Sequence, residues 1–337
     1  MKKIVLTAII IIAMLSVIGC RQNRNTIRNQ DGRLNVTATI FPAYDFVRQI
    51  AGDKVNLTLL LSPGAESHSF EPSPRDIITI QNSDIFVFVG GQSEMWIERI
   101  LQSMNTENLK ILAMMDVVDV VMEEFVEGME CYHHHDAHHD EHGHHDEHEH
   151  HDEHEHEHCD DAEYDEHVWT SPKNAILIIR AITELLSDAD PENAAFFQEN
   201  AEAYIKELEQ LNAAFSEVVA GARRKTIIFG DRFPFRYFAD AYGLTYFAAF
   251  GGCSTQTEPS AATVAFLINR IRAEQIPVVF HIELSNERMA DAISGETGAR
   301  KRLLHSVHNV SRRDFDAGLG YLDFMRRNVE TLREALY

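Results

Sequence analysis

Between Pro191 and Gly221 the chain runs for about 30 residues in a helix-forming composition with no proline and no internal glycine. At 1.5 Å per residue such a helix reaches roughly 45 Å, more than one small lobe needs. This segment constrains the fold most. It reads as a rigid backbone between two lobes; two helices with a hidden break are the alternative. On its N-terminal side LNVTATI (34–40), VNLTLLL (55–61), DIFVFVG (84–90) and LKILAM (109–114) have strand composition. They alternate with helical stretches: FPAYDFVRQIAG, with Phe46, Val47 and Ile50 on one face; a short one over Arg75 to Asn82; and amphipathic GQSEMWIERILQSM. Ser171-Pro172 opens a further helix to about Ser187, and Asp190-Pro191 reads as an N-cap followed by a first-turn proline.

The C-terminal side repeats the alternation. TIIFG (226–230), LTYFAAF, PVVFHIE (277–283) and KRLLHS (301–306) are strand-like. Between and after them come PFRYFADAYG, SAATVAFLINRIRAEQ, SNERMADAISGETG and the terminal LGYLDFMRRNVETLREAL, all helical in pattern. This order predicts an α/β fold: two (β/α) lobes with parallel sheets, joined by the long helix, with a cleft between them. No strict sequence repeat relates the halves. The predicted boundaries are 34–188 for the N-terminal lobe, 189–222 for the linking helix and 223–337 for the C-terminal lobe.

The first 19 residues read as a secretory signal: Lys2 and Lys3, then an apolar stretch, Ile4 to Ile18, too short to span a bilayer. It ends in Val17-Ile18-Gly19-Cys20, which looks like a bacterial lipobox, so Cys20 is expected to carry lipid and begin the mature chain; an uncleaved membrane anchor is the alternative. Residues 20–33 are then a flexible tether. These features place the protein outside the cytoplasmic membrane, held by its N-terminal lipid.

Residues 131–166 form the most unusual stretch. His133, His134, His135, His138, His139, His142, His144, His145, His148, His150, His151, His154, His156 and His158 are 14 of the 19 histidines, interleaved with acid. Such a run has too few apolar side chains to offset the entropy of ordering it. It is expected to be a solvated loop. Its imidazoles and carboxylates suit a low-specificity metal collector; a plain acidic spacer is the bland alternative. From Asp136 to Glu166 there are 15 acidic residues and no basic ones. The formal charge of −23 becomes −25 once Lys2 and Lys3 leave with the signal, and this region holds most of it. No basic patch exists, so nucleic acid is not an expected partner. Cys131 and Cys159 bracket the run and would form a disulfide in an oxidising space, or else supply metal thiolates. Cys253 is expected to be a buried small residue.

The other five histidines lie in ordinary sequence. His68 follows the second predicted strand, His167 precedes the helix at Ser171, His305 ends strand 301–306, and His308 lies three residues on. His281 lies inside a strand and reads as a core residue. Asp231 directly follows strand 226–230; as a turn residue or helix cap it would need no metal. In open parallel sheets ligands bind beyond the carboxyl ends of the strands, where several of these fall. Glu258 and Glu283 are further acids that would coordinate or support a metal, and Tyr237, Trp169 and Phe70 either line the cleft or belong to the core.

With these pieces assembled, the chain resembles the zinc and manganese substrate-binding lipoproteins of bacterial ABC importers. The likeness rests on the lipobox, LLSPGAESHSFEPSPRDI, the acidic histidine loop, DEHVWTSPKNA, the long helix and IIFGDRFPFRYFADAYGL. It implies a metal held between the two lobes, with His68 and His167 as the two N-terminal-lobe ligands. The family's third ligand, a histidine or glutamate after the first strand of the second lobe, falls at Gly230-Asp231, so Asp231 stands nearby. Its fourth, an acid near the C-terminus, falls in LLHSVHN, so His305 or else His308 takes that place. Such a set suits Zn²⁺ better than the oxygen-preferring Mn²⁺, which stays possible. The implied partners are an ABC permease and its ATPase, with the binding protein a monomer. No G-x-S-x-G motif supports an enzyme, and the one H-E-x-x-H match, His154 to His158, lies inside the low-complexity histidine run. A surface metal buffer or adhesin, with the loop as its working part, is the competing role.

Overall fold

In this computed structural model residues 32–66, 70–129, 163–254 and 259–337 are described. Cys20, His68, Cys131, Cys159, Glu258 and all 14 loop histidines lie outside them. Two four-stranded sheets form. The first contains β1 (Leu34–Ala38), β2 (Val55–Leu59), β3 (Ile85–Phe88) and β4 (Lys110–Ala113) in the order β2-β1-β3-β4. The second contains β5 (Thr226–Phe233), β6 (Thr245–Gly251), β7 (Val278–His281) and β8 (Arg300–Leu303) in the order β6-β5-β7-β8. Every pairing is parallel. The apolar runs of β1, β3, β5 and β7 suit central strands covered on both faces. In each sheet the chain reverses its direction of travel across the first strand, between β1 and β3 and between β5 and β7. Such switch points open a crevice at the strand ends.

The helices are α1 (Phe41–Ala51), α2 (Pro74–Gln81), α3 (Met95–Ser103), α4 (Pro172–Ala189), α5 (Ala194–Ala220), α6 (Arg236–Tyr242), α7 (Ala261–Glu274), α8 (Arg288–Thr297), α9 (Arg312–Asp316) and α10 (Tyr321–Leu336). α5 is unbroken over 27 residues, roughly 40 Å at 1.5 Å per residue. Its buried stripe, Phe197, Ala201, Tyr204, Leu208, Leu211, Phe215 and Val218, recurs every three to four residues. It packs against α1 and α4 on the first sheet's side and against α6 and α10 on the second's. The helix starts at Ala194 rather than at Pro191, because Asp190 closes α4 instead: its N–H donates to Leu186 O at 2.9 Å. Its carboxylate accepts from Asn193 Nδ2 at 2.7 Å, which holds the intervening turn.

One apolar core runs through both sheets and the long helices, including Phe41, Phe46, Trp169, Phe215, Phe238, Tyr321 and Phe324. Smaller clusters lie under the outer helices of each sheet. The contact between α1 and α10 joins the lobes directly: Phe46 meets Tyr321 at 5.1 Å and Phe41 meets Phe324 at 6.3 Å, both edge-on. Asp45, fully buried, accepts from Tyr321 N at 2.7 Å and pairs with Arg48 at 2.6 Å. Arg48 in turn donates to Gly318 O and Leu319 O.

Two strands differ from their predicted extents. β5 does not stop at Gly230 but runs to Phe233, with a register shift between Phe229 and Arg232 that inserts Gly230-Asp231 as a bulge. β8 ends at Leu303, so His305 and His308 lie in the turn beyond it. Among the described residues no helix is long and apolar enough to cross a membrane.

Candidate metal site between the lobes

His167 is fully buried, in a short turn before α4. Its backbone N–H donates to Asp165 Oδ1 at 2.8 Å, and its ring Nδ1–H donates to the same oxygen at 3.1 Å. The carboxylate thereby fixes the ring's orientation and tautomer, and Nε2 is the atom left to ligate a metal. This carboxylate–histidine arrangement is what metal-bound imidazoles use to gain basicity and direction. Burial depresses the imidazole's pKa, but Asp165, with Glu166 and Glu123, outweighs it, and the net shift is upward. Asp165 is itself held by the second lobe: Tyr237 Oη donates to its carbonyl at 2.7 Å.

The segments flanking residues 130–162 come together at this point. Met122 bridges Tyr164, Glu123 N donates to Glu163 O at 2.7 Å, and Asp165 N donates to Val121 O at 2.9 Å. Glu166 binds the turn after β3 through Ser93 N at 2.7 Å and through Ser93 Oγ. That turn needs Gly91, whose φ is +86° and whose Cβ would lie 2.6 Å from the Glu166 carboxylate. Glu94 caps the same turn through Val89 N and Gly90 N, and burial pushes its carboxyl up to about 7.

His308 approaches from the second lobe. Its ring centroid lies 5.4 Å from that of His167, and both rings stand over Trp169, at 5.0 and 5.4 Å. Two imidazoles sharing one tetrahedral zinc at bonds of about 2.1 Å have centroids about 5 Å apart. The observed spacing therefore suits a shared ion. Trp169 is fixed from the second lobe, donating Nε1–H to Ser306 O at 2.8 Å and accepting at its carbonyl from Tyr321 Oη at 2.7 Å. The turn carrying His308 is strained: Val307, a β-branched residue, sits at φ +61°. Glu283 holds it there, accepting from Ser306 N and Ser306 Oγ at 2.7 Å and from His308 N at 3.1 Å. Burial raises the pKa of Glu283 and these bonds partly oppose it.

His167 and His308 line one small cavity with Glu66, Arg232, Gly252 and Glu283. The loop that carries His68 is anchored beside it: Asn309 Nδ2 donates to Ser62 O and Ala65 O at 2.9 and 2.8 Å, and Gly64 N donates to Val310 O at 2.8 Å. Gly252 leaves room on the other side, since a Cβ there would lie 2.8 Å from Phe233 O and 3.3 Å from His167 Cε1.

Two expected ligands fall elsewhere, which corrects their place in the set. Asp231 accepts from Ile282 N at 3.1 Å and from Arg232 N at 2.8 Å, tying β5 to β7, and is off the cavity wall. The bulge turns its carboxylate into the sheet. His305 is bracketed by Asn328, with its ring 5.0 Å from Phe324, and burial lowers its pKa to about 4. Its side chain packs under α10, and the strained turn at Val307 presents His308 instead. His281 is buried, with Nδ1 near its own chain at Ile282 O. Phe70 packs on Trp96, and Cys253 is half-buried. Among the described residues no group of three or more His, Cys, Asp and Glu is arranged to hold a metal. Glu66 and Arg232 were not anticipated; the signal was the basic residue beside Asp231, in the block where the family's histidine was missing.

Two parallel-sheet lobes locked by a long helix, with a histidine pair where they meet, define the class of two-lobed solute-binding proteins. The chain belongs to the family described as "Zinc-uptake complex component A periplasmic", whose model matches residues 36–335. It is 31% identical to the zinc-binding lipoprotein AdcA of Streptococcus pneumoniae over 99% of this chain and 61% of that protein, so it spans about three fifths of that relative's length. It is 30% identical to the high-affinity zinc uptake system protein ZnuA of Bacillus subtilis, over 96% of this chain and 94% of that one. The fold matches the crystal structure of the Zn(II)-bound ZnuA-like domain of Streptococcus pneumoniae AdcA with a TM-score of 0.70, at 28% identity, covering 90% of this chain and 99% of that one.

Proposed function

We propose that this protein is the extracytoplasmic substrate-binding component of an ABC metal importer, which captures Zn²⁺ between its lobes and delivers it to a membrane permease and its ATPase. It acts as a monomer held at the membrane by lipid on Cys20, and it is a carrier rather than an enzyme. The ligands are His68, His167 and His308, and the histidine-rich loop is an accessory collector. Asp165 behind His167 is the observation that carries this reading, because a carboxylate fixing one imidazole nitrogen directs the other at a metal. Imidazole-rich coordination favours zinc over manganese.

Competition of Zn²⁺ and Mn²⁺ for the purified chain tests the assignment. One tight site that prefers zinc and is lost in His167→Ala is expected. A manganese preference would make the cargo manganese, and tight binding that survives His167→Ala would remove the site from the cleft.

A further inference from the structure

Asp165 directs His167, and part of what holds Asp165 comes from the other lobe. Its backbone carbonyl accepts from Tyr237 Oη at 2.7 Å, and the same hydroxyl accepts from Val121 N at 3.3 Å. Asp165 N closes the set by donating to Val121 O at 2.9 Å. One hydroxyl thus ties together the two segments that meet beside His167. Tyr237 is buried in the first turn of α6, which packs against the 168–170 turn that follows His167. α6 is fixed on the long helix by Phe238, whose ring meets that of Phe215 edge-on at 4.8 Å, and by Tyr242 Oη, which donates to Asn212 Oδ1 at 3.0 Å. Burial pushes the Tyr237 phenol well above its usual range, so it stays a neutral donor.

We propose that Tyr237 is a positioning residue for metal capture: its hydroxyl, presented by the second lobe, sets the Asp165 carboxylate on His167 and so aims a first-lobe ligand. This inference rests on the metal-binding function proposed above. The carboxylate has little freedom of its own. Its Oδ1 accepts from both His167 N and Nδ1, and the turn at Gly252 packs beside Oδ2, where a Cβ would come within 3.3 Å. That turn is itself held by Glu123, which accepts from Cys253 N at 3.0 Å. A shift of the Asp165 backbone must therefore move the imidazole with it. Without the phenol oxygen, the Asp165 carbonyl and Val121 N lose a buried partner, and such groups shift towards another partner rather than stay bare. A group behind a ligand changes affinity through the ligand's direction and basicity. The donor stands in the second lobe and the imidazole in the first, so His167 is aimed only while the lobes are docked at this point.

Zinc affinity by chelator competition and the visible spectrum of bound Co²⁺ test this in the full chain, both read on the component of binding that His167→Ala removes. Tyr237→Phe, which deletes the hydroxyl alone, is expected to weaken zinc binding about tenfold and to shift the cobalt bands. Made in an Asp165→Asn background, the same change is expected to alter affinity less than about twofold, because the path through the carboxylate is already broken. Tyr242→Phe removes a hydroxyl bond from the same helix but none from Asp165, and is expected to keep the parent's affinity and spectrum. Equal losses in the parent and Asp165→Asn backgrounds, an equal loss in Tyr242→Phe, or a Tyr237→Phe protein with unaltered affinity and spectrum would each overturn the inference. A parent chain with no His167-dependent site would instead overturn the underlying function.

Discussion

At the scale of single residues, the site depends on which nitrogen of His167 faces the cavity, and Asp165 decides that. Asp165→Asn should lower zinc affinity by about 10- to 100-fold with unchanged stoichiometry, checked by competition titration. His305 answers to a different chemistry. Burial, aided by Arg327, holds its imidazole near 4, against about 6.5 in an unfolded chain. The unfolded state therefore binds a proton first as the pH falls. The contribution is fully present above about 6.5 and is lost as the pH drops towards 4, by up to about 3 kcal/mol. Urea denaturation of parent and His305→Gln proteins across that range should show the parent losing more stability. His167 stood out in the sequence because of its motif block. The choice between His305 and His308 did not, because it turns on the φ of Val307, which spacing does not encode.

At the scale of elements, most of the strand and helix order was legible. Runs of β-branched and aromatic residues gave most of the eight strands of the two sheets, and the alternation with helices gave the edge strands at LKILAM and KRLLHS. The proline-free stretch gave α5, shortened at its start because Asp190 closes the preceding helix. The bulge in β5 was not legible, since Gly230-Asp231 reads equally well as a strand end. That single inserted step takes Asp231 out of the cavity and brings Arg232 to its wall. The join between α1 and α10 was equally invisible, because Asp45 looks like an ordinary helix-surface acid until Tyr321 N and Arg48 are found on it. Asp45→Ala should cost about 3–5 kcal/mol, as it leaves a half-buried guanidinium and a buried N–H without their partner. Chemical denaturation measures it.

At the scale of the whole molecule, the core is continuous across both lobes, and α5 and α10 pack on each. A large apolar interface and a helical link restrict closure, unlike lobes joined only by loops. Scattering from metal-free and zinc-loaded protein should therefore give nearly the same radius of gyration. The site is assembled from the stem of residues 121–129 and 163–167 on one side and the β7 and β8 turns on the other, so it exists only where the lobes meet. The central claim is that this cleft, and not the histidine-rich loop, captures the metal. The most direct measurement is calorimetric titration with Zn²⁺ of residues 21–337 lacking 132–158. One tight site per chain, abolished by His167→Ala, is expected. The absence of a tight site once the loop is gone would contradict it and make the loop the functional part.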